Sequence, residues 1–305
     1  VLYPGADCTC SSQRLIHKAS RTKCCGHCLE AARDGDLNTR CGYVAIVGKP
    51  NVGKSTLLNT LIRQKISITS KKPQTTRHNV LGIHTEGDCQ MLFVDTPGLH
   101  LKEHRAINRY MNRNARNALR DVDVVLFLVD RNRWNEEDDY VADLFMAAGG
   151  NKILVINKVD LIEDKAAVLP LLESMQARFP TAEVVPVSAE KNKNLDVLSD
   201  VIRKKLPESP FYYEADQITD RSERFLAAEI IREKIMRQLG EELPYAITIQ
   251  IDRFEEEENL ALIDATIFVE KEGQKKILIG HKGEKLKRIG SDARTEMQKL
   301  FDRRV

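Results

Sequence analysis

The chain has 305 residues, 42% hydrophobic and 30% charged, and Lys+Arg of 47 against Asp+Glu of 45 leaves a formal charge of +2. That length supports two domains with cores of their own, and no apolar run approaches a bilayer-spanning helix. With so little net charge, attraction to a polyanion has to come from local patches and not from a global field.

Residues 1–40 lack apolar periodicity and read as an N-terminal extension, disordered or non-native. Cys8, Cys10, Cys24, Cys25 and Cys28 cluster there with His17 and His27, but their spacing matches no common closed zinc framework. Arg14, Lys18, Arg21 and Lys23 suit a transit peptide, whereas Asp34, Asp36 and the lack of a clear amphipathic helix argue against one. The remaining cysteines are singletons, which suits a reducing compartment.

From Tyr43 the pattern changes. The apolar run Tyr43-Val44-Ala45-Ile46-Val47 leads into Gly48-Lys49-Pro50-Asn51-Val52-Gly53-Lys54-Ser55, and Thr56 opens a helix-like stretch to Ile62. A strand before and a helix after are what a P-loop needs: backbone N–H groups converge on phosphate oxygens at the positive end of the helix. Lys54 would reach the β/γ oxygens and Ser55 would offer a hydroxyl to Mg²⁺.

Thr75 and Thr76 lie in the polar stretch between Ser70 and Asn79, where Thr76 is the candidate for a second Mg²⁺ hydroxyl. The strand-like Met91–Val94 ends in Asp95-Thr96-Pro97-Gly98. There Asp95 can hold a water of the metal and the Gly98 N–H can face the γ-phosphate. Leu99 follows, at a position where many small GTPases carry the Gln that orients water. An apolar side chain cannot do that, so hydrolysis is expected to be slow in isolation.

Further strands are expected over 79–85 and 123–129, and a helix over Arg105–Arg120 carries Arg105, Arg109, Arg113, Arg116 and Arg120 as a basic stripe. Its ordinary reading is a solvated face, and the sharper one is a surface that moves toward RNA or the second domain. After the apolar Lys152–Ile156 comes Asn157-Lys158-Val159-Asp160. A carboxylate only accepts, so Asp160 suits guanine N1–H and its exocyclic amine and repels the acceptor at adenine N1. GTP is therefore favoured over ATP. Ser188 and Ala189, beyond Glu183–Val187, complete the expected base pocket.

Strand and helix patterns alternate through residues 41–206, which predicts an α/β Ras-like doubly wound domain. Pro207 to Asp220 reads as a linker. Beyond it, helical spacing over Arg221–Leu239, closed by Gly240, precedes strands over Tyr245–Ile251 and Leu260–Val269, with Glu255–Glu258 read as the loop tip between them. Gly280-His281-Lys282-Gly283 then resembles the GxxG loop of KH domains, which clamps backbone nucleotides. Lys275, Lys276, Lys282, Lys285, Lys287 and Arg288 surround it against Glu284. A smaller α+β type II KH domain over 221–305 is implied, and it should end in a third strand after the last helix. The sequence stops at Val305, so it reads as C-terminally truncated.

Together, GKPNVGKS, TTRH, DTPG, NKVD and SAE resemble the translation-factor-related GTPases, and from about Cys41 onward the bacterial Era family. Gln74–His78, Val94–His100 and Gly273–Lys276 match that family beyond the generic motifs. The resemblance implies a slow GTPase that cycles between GTP and GDP with Mg²⁺. It also implies binding to the 3′ region of small-subunit (16S) ribosomal RNA, a role in 30S assembly, and a monomer in the cytoplasm with peripheral inner-membrane association. Asn51 resembles the P-loop Asn with which related GTPases coordinate a monovalent cation such as K⁺. Lys54, Asn51, Thr76 and Gly98 are then the candidate catalytic set. Two other classes stay open: an RNA-binding scaffold that uses GTP structurally, and a P-loop small-molecule kinase.

Overall fold

Continuous apolar runs build a central sheet whose inner strands are buried on both faces. The computed structural model describes residues 39–70, 75–99, 106–131, 133–238 and 247–305, and Asn38–Val305 form one compact unit. Residues 1–38, which include the cysteine cluster of the N-terminal extension, lie outside the described residues.

The strands β1 (Arg40–Val47), β2 (Val80–Glu86), β3 (Cys89–Asp95), β4 (Val124–Asp130), β5 (Asn151–Asn157) and β6 (Glu183–Pro186) form one sheet in the order β2-β3-β1-β4-β5-β6. β2 runs antiparallel to β3 and the other pairs are parallel. Val124 through Leu128 are fully buried, as expected of a strand covered on both faces.

Helices α1 (Lys54–Ile62) and α5 (Leu195–Lys205) pack Leu57, Leu58, Leu198 and Ile202 on one face. Helices α2 (Ala106–Ala118), α3 (Glu136–Ala147) and α4 (Val168–Arg178) lie on the other, where Ala115, Val141 and Phe145 are buried and Leu171 and Met175 partly so. This is the doubly wound arrangement, and β1 sits where the winding reverses, so the loop after it is the natural ligand crevice.

Residues 207–219, read as a linker, run along the sheet edge. Pro207 O accepts from Cys41 N at 3.3 Å, Ile218 O from Ile83 N at 2.8 Å, and Gln90 Oε1 from Tyr212 N and Tyr213 N at 2.9 and 3.0 Å.

Helix α6 (Glu223–Gln238) leads to a second sheet, the antiparallel pair β7 (Ile247–Glu257) and β8 (Leu260–Val269). Leu239, Gly240 and Tyr245 lie outside the described residues. The expected loop tip at Glu255–Glu258 is corrected: Glu255, Glu256 and Glu257 pair with Leu262, Ala261 and Leu260, and the turn is confined to Glu258 and Asn259. The glutamates are tolerated in the strand because they are exposed and Arg253 and Arg303 pair with Glu255 and Glu256.

Helix α7 (Glu272–Ile279) precedes the GxxG loop and α8 (Glu284–Phe301) follows it. Ile235, Ile247, Leu278 and Ile289, with Ala227, Ile230, Ile251, Ala293 and Met297, close this core between α6, α8 and the sheet. Arg304 bridges in parallel to Leu260, with Ala261 N donating to Arg304 O at 2.8 Å, so the chain beyond α8 enters the ladder beside β8.

Candidate nucleotide site and nucleic-acid interface

The loop after β1 wraps tightly because its glycines permit it. Gly53 has φ 104°, and a Cβ there would lie 2.4 Å from Asn157 Nδ2. Any side chain would break both the turn and the contact behind it. Lys54, at the start of α1, is 6% exposed and folds back over the loop, donating from Nζ to Gly48 O at 3.0 Å and Lys49 O at 2.9 Å. Burial lowers its ammonium to about 8, against the opposing attraction of Asp95 and Glu137. A buried ammonium whose contacts are carbonyls is poised to exchange them for phosphate oxygens.

Ser55, Thr76 and Asp95 meet beside it. Ser55 Oγ donates to Asp95 Oδ2 at 2.7 Å and lies 2.9 Å from Thr76 Oγ1. Ser67 Oγ also donates to Asp95 Oδ2, at 2.7 Å. Asp95 Oδ1 is buried without a hydrogen-bond partner among the described residues. Burial pushes the Asp95 carboxyl upward, and the Ser55 and Ser67 hydroxyls oppose it. Two hydroxyls and a carboxylate with one unsatisfied buried oxygen form a hard oxygen set that fits Mg²⁺.

On the same wall Thr96 Oγ1 donates to Ile46 O at 2.6 Å, Pro97 is buried, and Leu99 N donates to Gly48 O at 3.3 Å. This ties the loop after β3 to the phosphate loop, with Gly98 next to the junction. The Leu99 side chain is fully buried in the core formed with α3 and β4, so it is packing and not water-facing.

At the carboxyl end of β5, Asn157 joins the remaining loops. Its Nδ2 donates to Val52 O at 2.8 Å, and its Oδ1 accepts from Lys158 N at 2.8 Å and Ala189 N at 3.0 Å. Lys158 Nζ reaches Asn51 O at 2.7 Å and Asp130 Oδ2 at 2.8 Å. Val159 and Asp160 lie in the short turn that follows, with Asp160 partly exposed, while Ser188 is buried.

Lys49 points away from the loop and pairs with the buried Asp138 at 2.5 Å, which caps α3. Asn51 is exposed at the loop tip with φ 64°. Pro50 and Thr56 complete the segment. Hydrogen bonds from Asn157 and Leu99 thus join the loops after β1, β3, β5 and β6 at one edge of the sheet.

The second candidate site is the loop between α7 and α8. Gly280 and Gly283 have φ 73° and 81°, and Lys282 also has a positive φ of 49°. These left-handed residues expose the loop backbone to an approaching phosphate. Lys275, Lys276, His281, Lys282, Lys285, Lys287 and Arg288 are all exposed, and the apolar Ile277 and Leu286 stand among them 41% and 38% exposed. On α2, Arg109, Arg113 and Arg116 are exposed, as is Arg120 beyond it, while Arg105 lies outside the described residues.

Sequence reasoning missed three things. Ser67 has no motif around it, so its bond to Asp95 could not be anticipated. Helix α7 is short, but Gln274 Oε1 accepting from Glu270 N and Lys271 N is a capping signal visible in the sequence. The contacts of α6 with the loop of Thr76 are long-range and leave no local pattern.

Comparison with known proteins matches both parts of the chain to described families. Residues 43–158 match the family described as 50S ribosome-binding GTPase, and residues 242–305 match the KH domain family. The chain is 58% identical over 267 residues to GTPase Era of Pseudomonas putida (strain W619), covering 88% of this chain and 89% of that one. It is 58% identical over 272 residues to GTPase Era of Pseudomonas aeruginosa (strain LESB58), covering 89% of each. Among solved structures it resembles Era in complex with MgGDPNP and nucleotides 1506–1542 of 16S ribosomal RNA. The TM-score is 0.84 and the identity 41%, over 88% of this chain and 91% of that one. An Aquifex aeolicus Era variant bound to GDP.AlF4- matches with a TM-score of 0.83 at 41% identity, over the same shares.

Proposed function

The chain belongs to the Era family of GTPases, and we propose from that premise that it is a switch in which bound GTP sets how the KH domain engages small-subunit ribosomal RNA. The similar Era structures carry GDP or MgGDPNP, and one of them carries 16S nucleotides. The observation that carries the coupling is a contact: Arg232 of α6 donates to Thr75 O at 2.5 Å, beside the hydroxyl that stands at Ser55 and Asp95. The loop nearest the metal side is thereby bonded to the helix that packs on the RNA-side α8.

Within this reading, residues 48–56 cradle the phosphates, with Lys54 on the β/γ oxygens. Asp95, Thr96, Pro97, Gly98 and Leu99 line the γ side, and Gly98 N–H donates to the γ-phosphate. Ser55, Thr76 and Asp95 hold Mg²⁺, which neutralises phosphate charge when bound. Asp160 recognises guanine, Lys158 and Val159 flank the base, and Asn157, Ser188 and Ala189 shape the pocket. Because Leu99 is buried, hydrolysis relies on Lys54, backbone donors and the metal-side hydroxyls, and is slow without an activator. Asn51, exposed at the loop tip, holds K⁺ in this reading, as added positive charge. Lys275, Lys276, Gly280, His281, Lys282, Gly283, Lys285, Lys287 and Arg288 take the RNA backbone.

The partner is the 30S subunit through the 3′ region of its RNA, the protein acts as a monomer, and its compartment is the cytoplasm. The buried free thiols of Cys41 and Cys89 suit a reducing environment. Membrane contact is peripheral; among the described residues no helix is long and apolar enough to cross a bilayer.

Single-turnover hydrolysis of GTP and ATP, with and without an RNA of the small-subunit 3′ end, tests this. Slow hydrolysis of GTP, negligible hydrolysis of ATP and acceleration by the RNA are expected. A preference for ATP over GTP would favour a kinase, and RNA binding without any hydrolysis would favour a scaffold.

A further inference from the structure

Helix α6 has two working faces. Phe225, Glu229, Arg232, Glu233 and Arg237 recur at three- and four-residue spacing and form one stripe. That stripe meets the loop between α1 and β2. His78 sits edge-on to both Phe225 and Tyr110 of α2, at 6.3 and 6.2 Å between ring centres. Glu233 is fully buried, accepts from Thr69 N and Oγ1 at 3.2 Å each, and pairs with Lys65. On the other face, Ala227 and Ile230 pack with Ala293 and Met297 of α8, the helix that begins at the GxxG loop.

Within this stripe Arg232 is the residue nearest the chemistry. It is 3% exposed, and Glu229 holds it through Nε at 2.8 Å and Nη2 at 2.5 Å. Nη2 also donates to Thr75 O at 2.5 Å, and Nη1 approaches Met236 Sδ at 3.4 Å. A guanidinium clamped by a carboxylate keeps one orientation, so its grip on the carbonyl is directional.

We propose that Arg232 is a positioning residue for GTP hydrolysis, supplied by the RNA-binding domain to the nucleotide site. By fixing the carbonyl of Thr75 it sets the backbone from which Thr76 Oγ1 reaches Ser55 and Asp95. This rests on the reading of Thr76 as a metal-side hydroxyl. A misplacement of about 1 Å in such a group costs on the order of 100-fold in rate. GDP retention, which uses the phosphate loop and Asp160, does not depend on Arg232.

The test replaces both members of the clamp, Arg232→Met with Glu229→Gln, so that no half-buried carboxylate is left alone. The expected result is a fall of roughly 10- to 100-fold in the single-turnover rate, with GDP affinity retained. In the nucleotide-free, metal-free protein, amide exchange over 77–80 should rise while α8 stays protected. Arg232→Lys, which keeps the charge but not the planar fork, should give an intermediate rate. A purely structural role would instead lower the protection of α6 and α8 together and leave the rate of the folded fraction unchanged.

Thr76→Ala separates the two levels of the argument. If Thr76→Ala hydrolyses GTP at the unaltered rate, the reading of the metal side is wrong. If it is slow while the double variant keeps both the unaltered rate and unaltered exchange, the role of Arg232 is overturned alone. Should the double variant fail to fold, Arg232→Lys decides: an unaltered rate and exchange overturn the proposal, and a slower rate with faster exchange over 77–80 supports it.

Discussion

Asn157 Nδ2 donates to Val52 O at 2.8 Å, so a side chain at the end of β5 supports the outgoing half of the phosphate loop. Its Oδ1 receives Lys158 N and Ala189 N, and one amide thus joins the loops expected to hold the phosphates and the base. Asn157→Ala removes three hydrogen bonds, two of them buried, each worth about 1 kcal/mol net. Affinity for GTP and GDP should fall together by roughly 10- to 100-fold. Calorimetric titration of both nucleotides checks this, and a loss confined to one of them would contradict a shared support.

Asp160 sits partly exposed in the turn Val159–Leu161, after Lys158 in the left-handed region. Changing Asp160→Asn replaces an acceptor with a donor facing the exocyclic amine of guanine. Two charge-assisted hydrogen bonds are lost, at about 1.5–3 kcal/mol each, so GTP affinity should drop by 100-fold or more in order of magnitude. Xanthosine triphosphate carries an oxygen where guanine carries the amine and should become the preferred ligand. Competition between the two nucleotides for the variant reads the outcome directly.

Lys54 makes the site sensitive to pH. Burial lowers its ammonium from 10.5 to about 8, so the unfolded chain holds more protons between these values. Stability of the nucleotide-free protein should therefore rise with pH across that window. Triphosphate oxygens favour the charged amine, so GTP binding above about 8 takes up a proton and weakens as pH rises. Calorimetry at a pH of about 8.5, in two buffers of different ionisation heat, should report net proton uptake on GTP binding. Lys54→Arg, charged throughout this range, should report none.

Much of this site is legible from short strings that follow apolar runs, because a parallel strand delivers its C-terminal loop to the same edge as its neighbours. Gly53, Asp95 and Asn157 are found that way. Their division of labour is not: nothing in the string around Asn157 shows that its amide ties β5 to Val52 of the phosphate loop. Lys49, within the P-loop string, spends its charge on Asp138. The glutamates at 255–257 read as a loop from charge alone, whereas cross-strand pairing with Leu260, Ala261 and Leu262 holds them in β7. Arg232 is invisible for a simpler reason. Its partner Thr75 O is a backbone carbonyl 157 residues away, and no periodicity records such a contact.

The GxxG loop allows the RNA side to be altered without touching the nucleotide. His281 and Lys282 are exposed between Gly280 and Gly283, so replacing both with Asp should change stability by no more than about 1 kcal/mol. Affinity for an RNA of the small-subunit 3′ end should fall at least tenfold in order of magnitude, with a shallower dependence on salt. Filter binding at two salt concentrations measures both, and GTP affinity should be unaltered.

The most direct test of a nucleotide-controlled RNA switch is the affinity of the unaltered chain for that RNA, measured with GDPNP and then with GDP bound. Linkage requires that if RNA and the γ-phosphate favour the same conformation, the RNA binds more tightly to the GDPNP form, by about fivefold or more. Equal affinity in the two states would mean that the nucleotide does not govern the RNA-binding domain, and would contradict the account.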